Sequence, residues 1–568
     1  MPFSEEARPA RVMLVGFDGA TLELIHAWAE AGLLPTFQRL MAQGAHGPLR
    51  STMPPVTPAA WSTLATGMNP GKHGLFDFYA RRKGSYETEV VNASHRRGAS
   101  LWRLLSQAGK RVMVFNVPAT YPPERVNGLM VSGLLTPADA ADADWPPGLL
   151  QALKGAVPDF SFYPPGIFSR GQDEAFLDEI LAWDRRTLQA TEFLLARQPC
   201  DFCFSVFIGI DIASHFLWRA MATQGASAPA DEPRLRQRLA GAIQEVYCQA
   251  DAILARLLEL AGEGAQVIVV SDHGFGPLDR YMHINSWLQK RGYLKFKRTP
   301  LGLAKILAYN LGITPLSVLE WTRRLGLGGQ VQQTASQRNA WLKSVVKLVF
   351  LSLADVDWSR TTAYSAGYGG PIFVNLKGRE PQGIVEPGAG YEALLERLIA
   401  DLRALRHPET GEPFVGEIYR PGDLYHGPYA HLAPDLLFLP RDWRDQAYGV
   451  HDFASNRWLE PSPDRSGTHR MEGIFFMHGP GVHPGAVVEG SSLEDVAPTV
   501  LALMGVPIPK NMDGRVLSEA LSQERLAGLS ITYGEAEEAL AGASQASEMS
   551  EQDERLIRDR LDALGYGG

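Results

Sequence analysis

Short apolar runs alternate along this chain with longer stretches of helical period, and three of the runs lead directly into an aspartate. The runs cover residues 12–17, 111–117, 202–210, 265–270, 371–376, 436–439 and 473–477. The stretches between them include 22–43, 101–109, 174–197, 234–261 and 391–405. A run without polar alternation suits a strand buried on both faces. Strands alternating with helices therefore predict an α/β fold whose largely parallel central sheet is covered by helices on both faces.

Two regions break the alternation. Residues 279–345 are helical, carry Trp287, Trp321 and Trp341, and hold eleven Lys/Arg against Asp279 and Glu320, a local charge of +9. Residues 534–554 carry seven acidic side chains and no basic one, followed by a short amphipathic helix. The expected organisation is one discontinuous α/β unit, 10–278 with 355–515, a basic helical cap inserted at 279–354, and an acidic helical tail at 516–568. Length allows this as readily as three or four separate domains of about 150 residues. The chain has 568 residues and a net charge of −9, which argues against a general nucleic-acid binder. The cap is expected either to cover the core as a solvated face, to gather anionic substrates, or to touch a lipid surface peripherally.

Cysteine chemistry carries little here. Cys200, Cys203 and Cys248 cannot build a disulfide scaffold, and the C-x-x-C pair opens an apolar run with no second pair beside it. The amino terminus lacks a basic start followed by an apolar stretch, and no segment approaches 18 uninterrupted apolar residues. A cytoplasmic location is the expectation.

The chemistry gathers at the strand ends. Residues 12–17 run into Asp18, the run at 202–210 into Asp211, and the run at 265–270, through Ser271, into Asp272. Sites in open α/β sheets form outside the carboxyl ends of the strands, so the three carboxylates are expected to converge. Asp211 and His215 are one helical turn apart, His273 follows Asp272 ahead of two nearby glycines, and His469 precedes the last strand. Carboxylates and imidazoles without thiolates make the ligand set of catalytic zinc, with manganese or iron as alternatives. In PPVTPAAWSTLATG, Thr57 stands before Pro58 as a helix-capping residue would. A hydroxyl at a helix amino terminus also faces any anion bound there, so Thr57 is the candidate nucleophile.

These residues resemble the alkaline phosphatase superfamily, in particular its type I phosphodiesterase/nucleotide pyrophosphatase branch. The resemblance runs through VGFDG, PPVTPAAWSTLATGMNPGKHG, GIDIASH, VVSDHGFGP and GTHRMEGIFFMHGPGV, in the family's order. It implies two divalent metal ions, zinc first and manganese second, about 3.5–4 Å apart. One would be held by Asp18, Asp272, His273 and the oxygen of Thr57, the other by Asp211, His215 and His469. It also implies hydrolysis of a small-molecule or lipid-linked phosphate ester through a covalent phosphothreonine. Soluble relatives described only as phosphohydrolase or phosphomutase keep two alternatives open, a monoesterase and a phosphoryl transferase. A non-catalytic, metal-stabilised binding protein is the distant third.

Where nucleotide pyrophosphatase-type members place an asparagine that bonds a phosphoryl oxygen, this chain has Asp77. A carboxylate repels that oxygen unless it is protonated or paired, which tilts the expectation toward diesters, since they carry less charge than a terminal phosphate. Asp77 and Lys72 are the candidate substrate contacts, with a plain loop role for Lys72 as the alternative.

Overall fold

A computed structural model describes residues 11–164, 166, 168–169, 171–222, 233–324, 349–449, 453–535 and 549–564. Its centre is a ten-stranded sheet. The strands follow the order Ala486–Val487, Ala45–Arg50, Glu472–His478, Gln266–Val270, Val12–Phe17, Phe202–Phe207, Val112–Phe115, Gly128–Val131 and Asp144–Trp145, with Ser491–Ser492 also on Ala45–Arg50. From Gln266–Val270 to Gly128–Val131 neighbouring strands are parallel, while Glu472–His478 and Asp144–Trp145 run antiparallel to their partners. Val12–Phe17 and Phe202–Phe207 are buried at every position, as a sheet sandwiched by helices requires. Pairing of Phe17 with Phe207 and of Gly16 with Val270 brings three strands to one edge together, so the segments bearing Asp18, Asp211 and Asp272 leave the sheet side by side.

Two of the expected long helices are broken where the sequence carries a breaker. Leu22–Glu30 and Pro35–Gln43 are separated by Gly32, whose φ of +76° only glycine adopts without strain, and by Pro35. Pro233–Ala240 and Ala242–Ala261 are separated at Gly241.

The boundaries of the insert and the tail differ from expectation. The runs at 371–376 and 436–439 form strands, Pro371–Val374 and Leu436–Pro440, but these lie outside the central sheet. They pair antiparallel in a four-stranded sheet with Ala363–Tyr364 and Val415–Tyr419. One apolar core joins Trp287, Leu288 and Phe296 of the expected insert to Trp358, Phe373 and Phe438. Packing is therefore continuous across 354/355, and the second unit reaches from the insert to about Leu459. An apolar run four residues long fits either kind of sheet, so its sequence does not select one.

The tail is likewise not a solvated appendage where it is described. Leu517, Ala520 and Leu521 are buried in the main core. The terminal helix Glu551–Leu564 buries Ile557, Leu561 and Leu564 there, and its Glu554 pairs with Arg82 at 3.0 Å. Trp341 and residues 536–548 of the acidic run lie outside the described residues.

Candidate active site

Asp18 follows the first strand directly, and Asp272 follows Gln266–Val270 by one residue beyond Ser271. Asp211 sits in the first turn of Gly209–Ala222 rather than at a strand end, with His215 one turn on. His469 lies on Gly467–Arg470, a strand paired antiparallel with Gly274–Pro277 so that His469 faces Phe275. All six are buried. They form two groups of three, Asp18 with Asp272 and His273, and Asp211 with His215 and His469. Within each group the ligand atoms lie within 4.8 Å of one another.

The spacing inside the groups has a chemical signature. His469 Nε2 is 3.1 Å from His215 Nε2 and 3.3 Å from Asp211 Oδ1, and His215 Nε2 is 3.4 Å from that same oxygen. In the other group His273 Nε2 is 3.4 Å from Asp18 Oδ1 and 3.3 Å from Asp272 Oδ2. Ligand atoms around a tetrahedral zinc with bonds near 2.0–2.2 Å stand about 3.3–3.5 Å apart. Asp18 Oδ1, Asp272 Oδ2 and His273 Nε2 are buried without a hydrogen-bond partner, a costly state that a cation relieves. The residues fit divalent metal.

Each imidazole is also turned the right way. The Nδ1 atoms of His215, His273 and His469 lie 3.1, 3.1 and 2.7 Å from the carbonyls of Gly467, Gly274 and Pro55. A carbonyl accepts only from N–H, so Nδ1 carries the proton and Nε2 keeps its lone pair for a metal. Burial lowers the His215 and His469 pKa values to about 4 and holds that of His273 well below the ordinary imidazole range, which favours the neutral rings. Burial, and then the neighbouring carboxylates, push Asp18 and Asp272 well above the usual range.

Thr57 opens the helix Thr57–Thr66, and here the structure corrects the capping expectation. Val56 is the N-cap, Thr57 is the first helical residue, and no side chain caps the helix. Thr57 Oγ1 is buried and has no hydrogen-bond partner. Its helix is tied to both ligand groups: Trp61 Nε1 donates to Asp18 Oδ2 at 2.9 Å, and the Pro55 carbonyl accepts from His469. Gly16 makes room for this, since a Cβ there would stand 2.5 Å from the Trp61 ring.

The two expected substrate contacts are both engaged by neighbouring groups. Lys72 Nζ is held by Asp513 at 2.5 Å and by the Asn511 carbonyl at 2.9 Å, which compensates its charge. Asp77 accepts from the amides of Phe78 at 2.6 Å and Tyr368 at 2.5 Å, and lines a cavity of about 120 Å³ with Phe76, Tyr79, Phe373 and Tyr425. Burial raises its pKa to about 7 against the pull of those two bonds. Its visible task is to clasp the loop that carries Tyr368, where Gly367, Gly369 and Gly370 all have positive φ.

Two residues at the site escaped sequence reasoning. Arg465 is buried, its guanidinium lying against both ring nitrogens of His215, 2.6 Å from Nε2, and against the Tyr368 hydroxyl, so in this arrangement it holds the Nε2 lone pair that an ion would otherwise use. Tyr368, also buried, lines a second cavity of about 40 Å³ with Val56, Trp443 and His469. The available signal was spacing, since Arg465 precedes His469 by four residues. Cys200 and Cys203 are free and buried, and burial pushes the Cys200 thiol up to about 12, which leaves neither poised for redox or metal chemistry.

Behind the site, Asp184 packs against the start of the helix that carries Asp211, accepting from the Gly209 amide. Burial raises its pKa to about 7. A carboxyl raised in the folded state contributes stability that is present below about pH 4 and is lost as pH rises through about 7. Asp184→Asn is therefore expected to match the wild type below about pH 4, to gain on it between about pH 4 and 7, and to exceed it at pH 9 by on the order of 2 kcal/mol, read by denaturant unfolding.

The model of the type I phosphodiesterase/nucleotide pyrophosphatase family matches residues 12–442. Among solved structures, phosphonoacetate hydrolase from Sinorhizobium meliloti 1021, in complex with phosphonoformate, is similar at TM-score 0.49 and 14% identity over 87% of this chain and 95% of that one. Human ectonucleotide pyrophosphatase/phosphodiesterase 5 is similar at TM-score 0.45 and 12% identity over 90% and 100%. A 2,3-bisphosphoglycerate-independent phosphoglycerate mutase from Laribacter hongkongensis is 51% identical over 41 residues, which span 7% of this chain and 8% of the mutase. With its ligand groups and strand-end carboxylates inside the matched span up to residue 442, and His469 just beyond it, the chain belongs to the type I phosphodiesterase/nucleotide pyrophosphatase family.

Proposed function

We propose that the chain hydrolyses phosphoric esters by nucleophilic attack of the Thr57 hydroxyl. Asp18, Asp272, His273 and Thr57 would hold one divalent ion and Asp211, His215 and His469 a second, zinc being the first choice and manganese the alternative. The observation that carries the reading is the buried, partnerless Thr57 Oγ1 on a helix tied to both ligand groups. Bound there, the ions would supply Lewis-acid polarisation of the phosphoryl oxygens.

The protein's own groups supply the rest. The free amides of the first turn of Thr57–Thr66 favour an anion beside Oγ1. The Oγ–P bond forms and the ester P–O bond breaks, the hydroxyl proton leaving with the departing oxygen as the free alcohol, so that a monoester gives phosphothreonine and a diester gives its ester. Water then breaks the Oγ–P bond and returns inorganic phosphate from a monoester, or a monoester from a diester. Trp61 fixes Asp18, and the Gly467, Gly274 and Pro55 carbonyls fix the three imidazoles. The cavity beside Val56 and His469, walled by Trp443 and Tyr368, would receive the ester substituent.

Arg465 weakens the tilt toward diesters. Asp77 is engaged by two backbone amides, whereas a guanidinium stands among the ligands, and its forked donors suit the additional charge of a terminal phosphate. Zinc- and manganese-loaded protein should be assayed on para-nitrophenyl phosphate and bis-para-nitrophenyl phosphate. If neither is turned over and elemental analysis finds no bound metal, the hydrolase reading fails. Arg465→Met is expected to lower monoester turnover about 10²-fold and diester turnover less. An equal loss on both would assign Arg465 to site architecture instead.

A further inference from the structure

The helix Pro300–Asn310 is built inside out, and Pro315–Arg324 follows it. On the first, the buried side chains include Lys305 and Tyr309. Lys305 Nζ pairs with the Asp355 carboxylate at 3.0 Å, and the Tyr309 hydroxyl bonds Ser286 Oγ at 2.8 Å and the Ser455 carbonyl at 2.9 Å. Leu301, Leu303, Leu307 and Leu311 are instead 54%, 52%, 61% and 71% exposed, followed by Ile313 at 37% and Trp321 at 53%. A surface helix ordinarily turns its apolar stripe to the core. This one is anchored by a lysine and a tyrosine and offers leucines outward. Contiguous apolar surface of this kind marks a site of contact.

The charge beside it selects the partner. Lys290, Lys297 and Arg298 are exposed just ahead of the leucines, within a segment of net charge +9 in a chain of net charge −9. A second copy docked symmetrically would set two such segments against each other, whereas an anionic surface neutralises them. Among the described residues no single helix is long and apolar enough to cross a membrane, and the two helices meet at a 55° bend. Together they are long and apolar enough for a bent span, but Lys305 and Tyr309 hold the first helix against the protein, which leaves its leucines to meet a bilayer from the side.

We propose that this helix pair is a membrane-docking surface for anionic bilayers. Its leucines and Trp321 enter the boundary between headgroups and acyl chains, while Lys290, Lys297 and Arg298 meet the headgroups. The test is co-sedimentation of the full chain with vesicles of phosphatidylcholine, with and without phosphatidylserine. The wild type is expected to pellet with the anionic vesicles and far less with the neutral ones. Leu307→Asp/Leu311→Asp, at exposed positions, should reduce pelleting at least tenfold with an unchanged melting temperature, and Lys297→Glu/Arg298→Glu should reduce it on anionic vesicles. Failure of the wild type to pellet overturns the proposal. So does undiminished pelleting of the leucine variant, or light scattering that shows the wild type as a dimer and the leucine variant as a monomer.

Discussion

Thr57→Val is expected to abolish ester hydrolysis without weakening the fold. Valine keeps the shape of threonine and deletes only the hydroxyl. In most buried settings that deletion costs stability because it strips a partner of its hydrogen bond. Here Oγ1 has no partner to strip, and Val56 rather than Thr57 caps the helix. Removing a desolvated, unsatisfied polar atom is neutral or favourable, so the melting temperature should stay level or rise. Loss of a nucleophile, by contrast, costs turnover on the order of 10⁴-fold or more. Metal content, measured by elemental analysis, should remain, since six of the seven proposed ligands stay in place. A variant both inactive and destabilised would return the hydroxyl to a structural role, and a variant with residual turnover near the wild-type rate would remove Thr57 as nucleophile.

The pairing of an orphaned hydroxyl with two orphaned carboxylates explains why so much of the site could be read without coordinates. Asp18 and Asp272 are fixed by a rule of parallel sheets, since residues just past the carboxyl ends of neighbouring strands share an edge. Asp211 and His215 are fixed by helical period, and the helix Gly209–Ala222 delivers them even though it begins where a longer strand was expected. Arg465 and Tyr368 come from segments without periodicity. Tyr368 depends on departures to positive φ on either side of it, at Gly367, Gly369 and Gly370, and Arg465 on a loop after Ser462. Neither conformation has a signature in hydrophobic pattern. Asp77 is legible by its place along the chain but not by its partners: the amides of Phe78 and Tyr368 engage its oxygens, and backbone amides are invisible in a sequence. The inside-out helix at 300–310 misleads for the same reason, because the partner that draws Lys305 inward is Asp355, fifty residues away.

Removing divalent metal is expected to stop turnover and also to lower stability, by an amount that one substitution should partly restore. Ions bound about a thousandfold above their dissociation constants contribute about 4 kcal/mol, which a chelator withdraws. Without them three buried carboxyls share one edge, and Asp18 and Asp272 abut closely enough for each to shift the other. Asp272→Asn removes one of those charges. Its amide can donate toward Asp18, while its remaining oxygen still faces the Gly19 amide. In chelator, Asp272→Asn should therefore melt above the wild type; with zinc present it should melt below it, because a ligand has been lost. The sign with pH follows from the raised Asp272 carboxyl. Its contribution to the metal-free fold is present below the ordinary carboxylate range and is lost as pH rises through the raised value, so the advantage of asparagine in chelator should widen as pH rises above the ordinary carboxylate range. Metal-loaded protein should show the opposite trend, since binding requires deprotonated ligands. A wild type whose melting temperature ignores chelator would show that these carboxylates are not metal ligands, whatever their spacing.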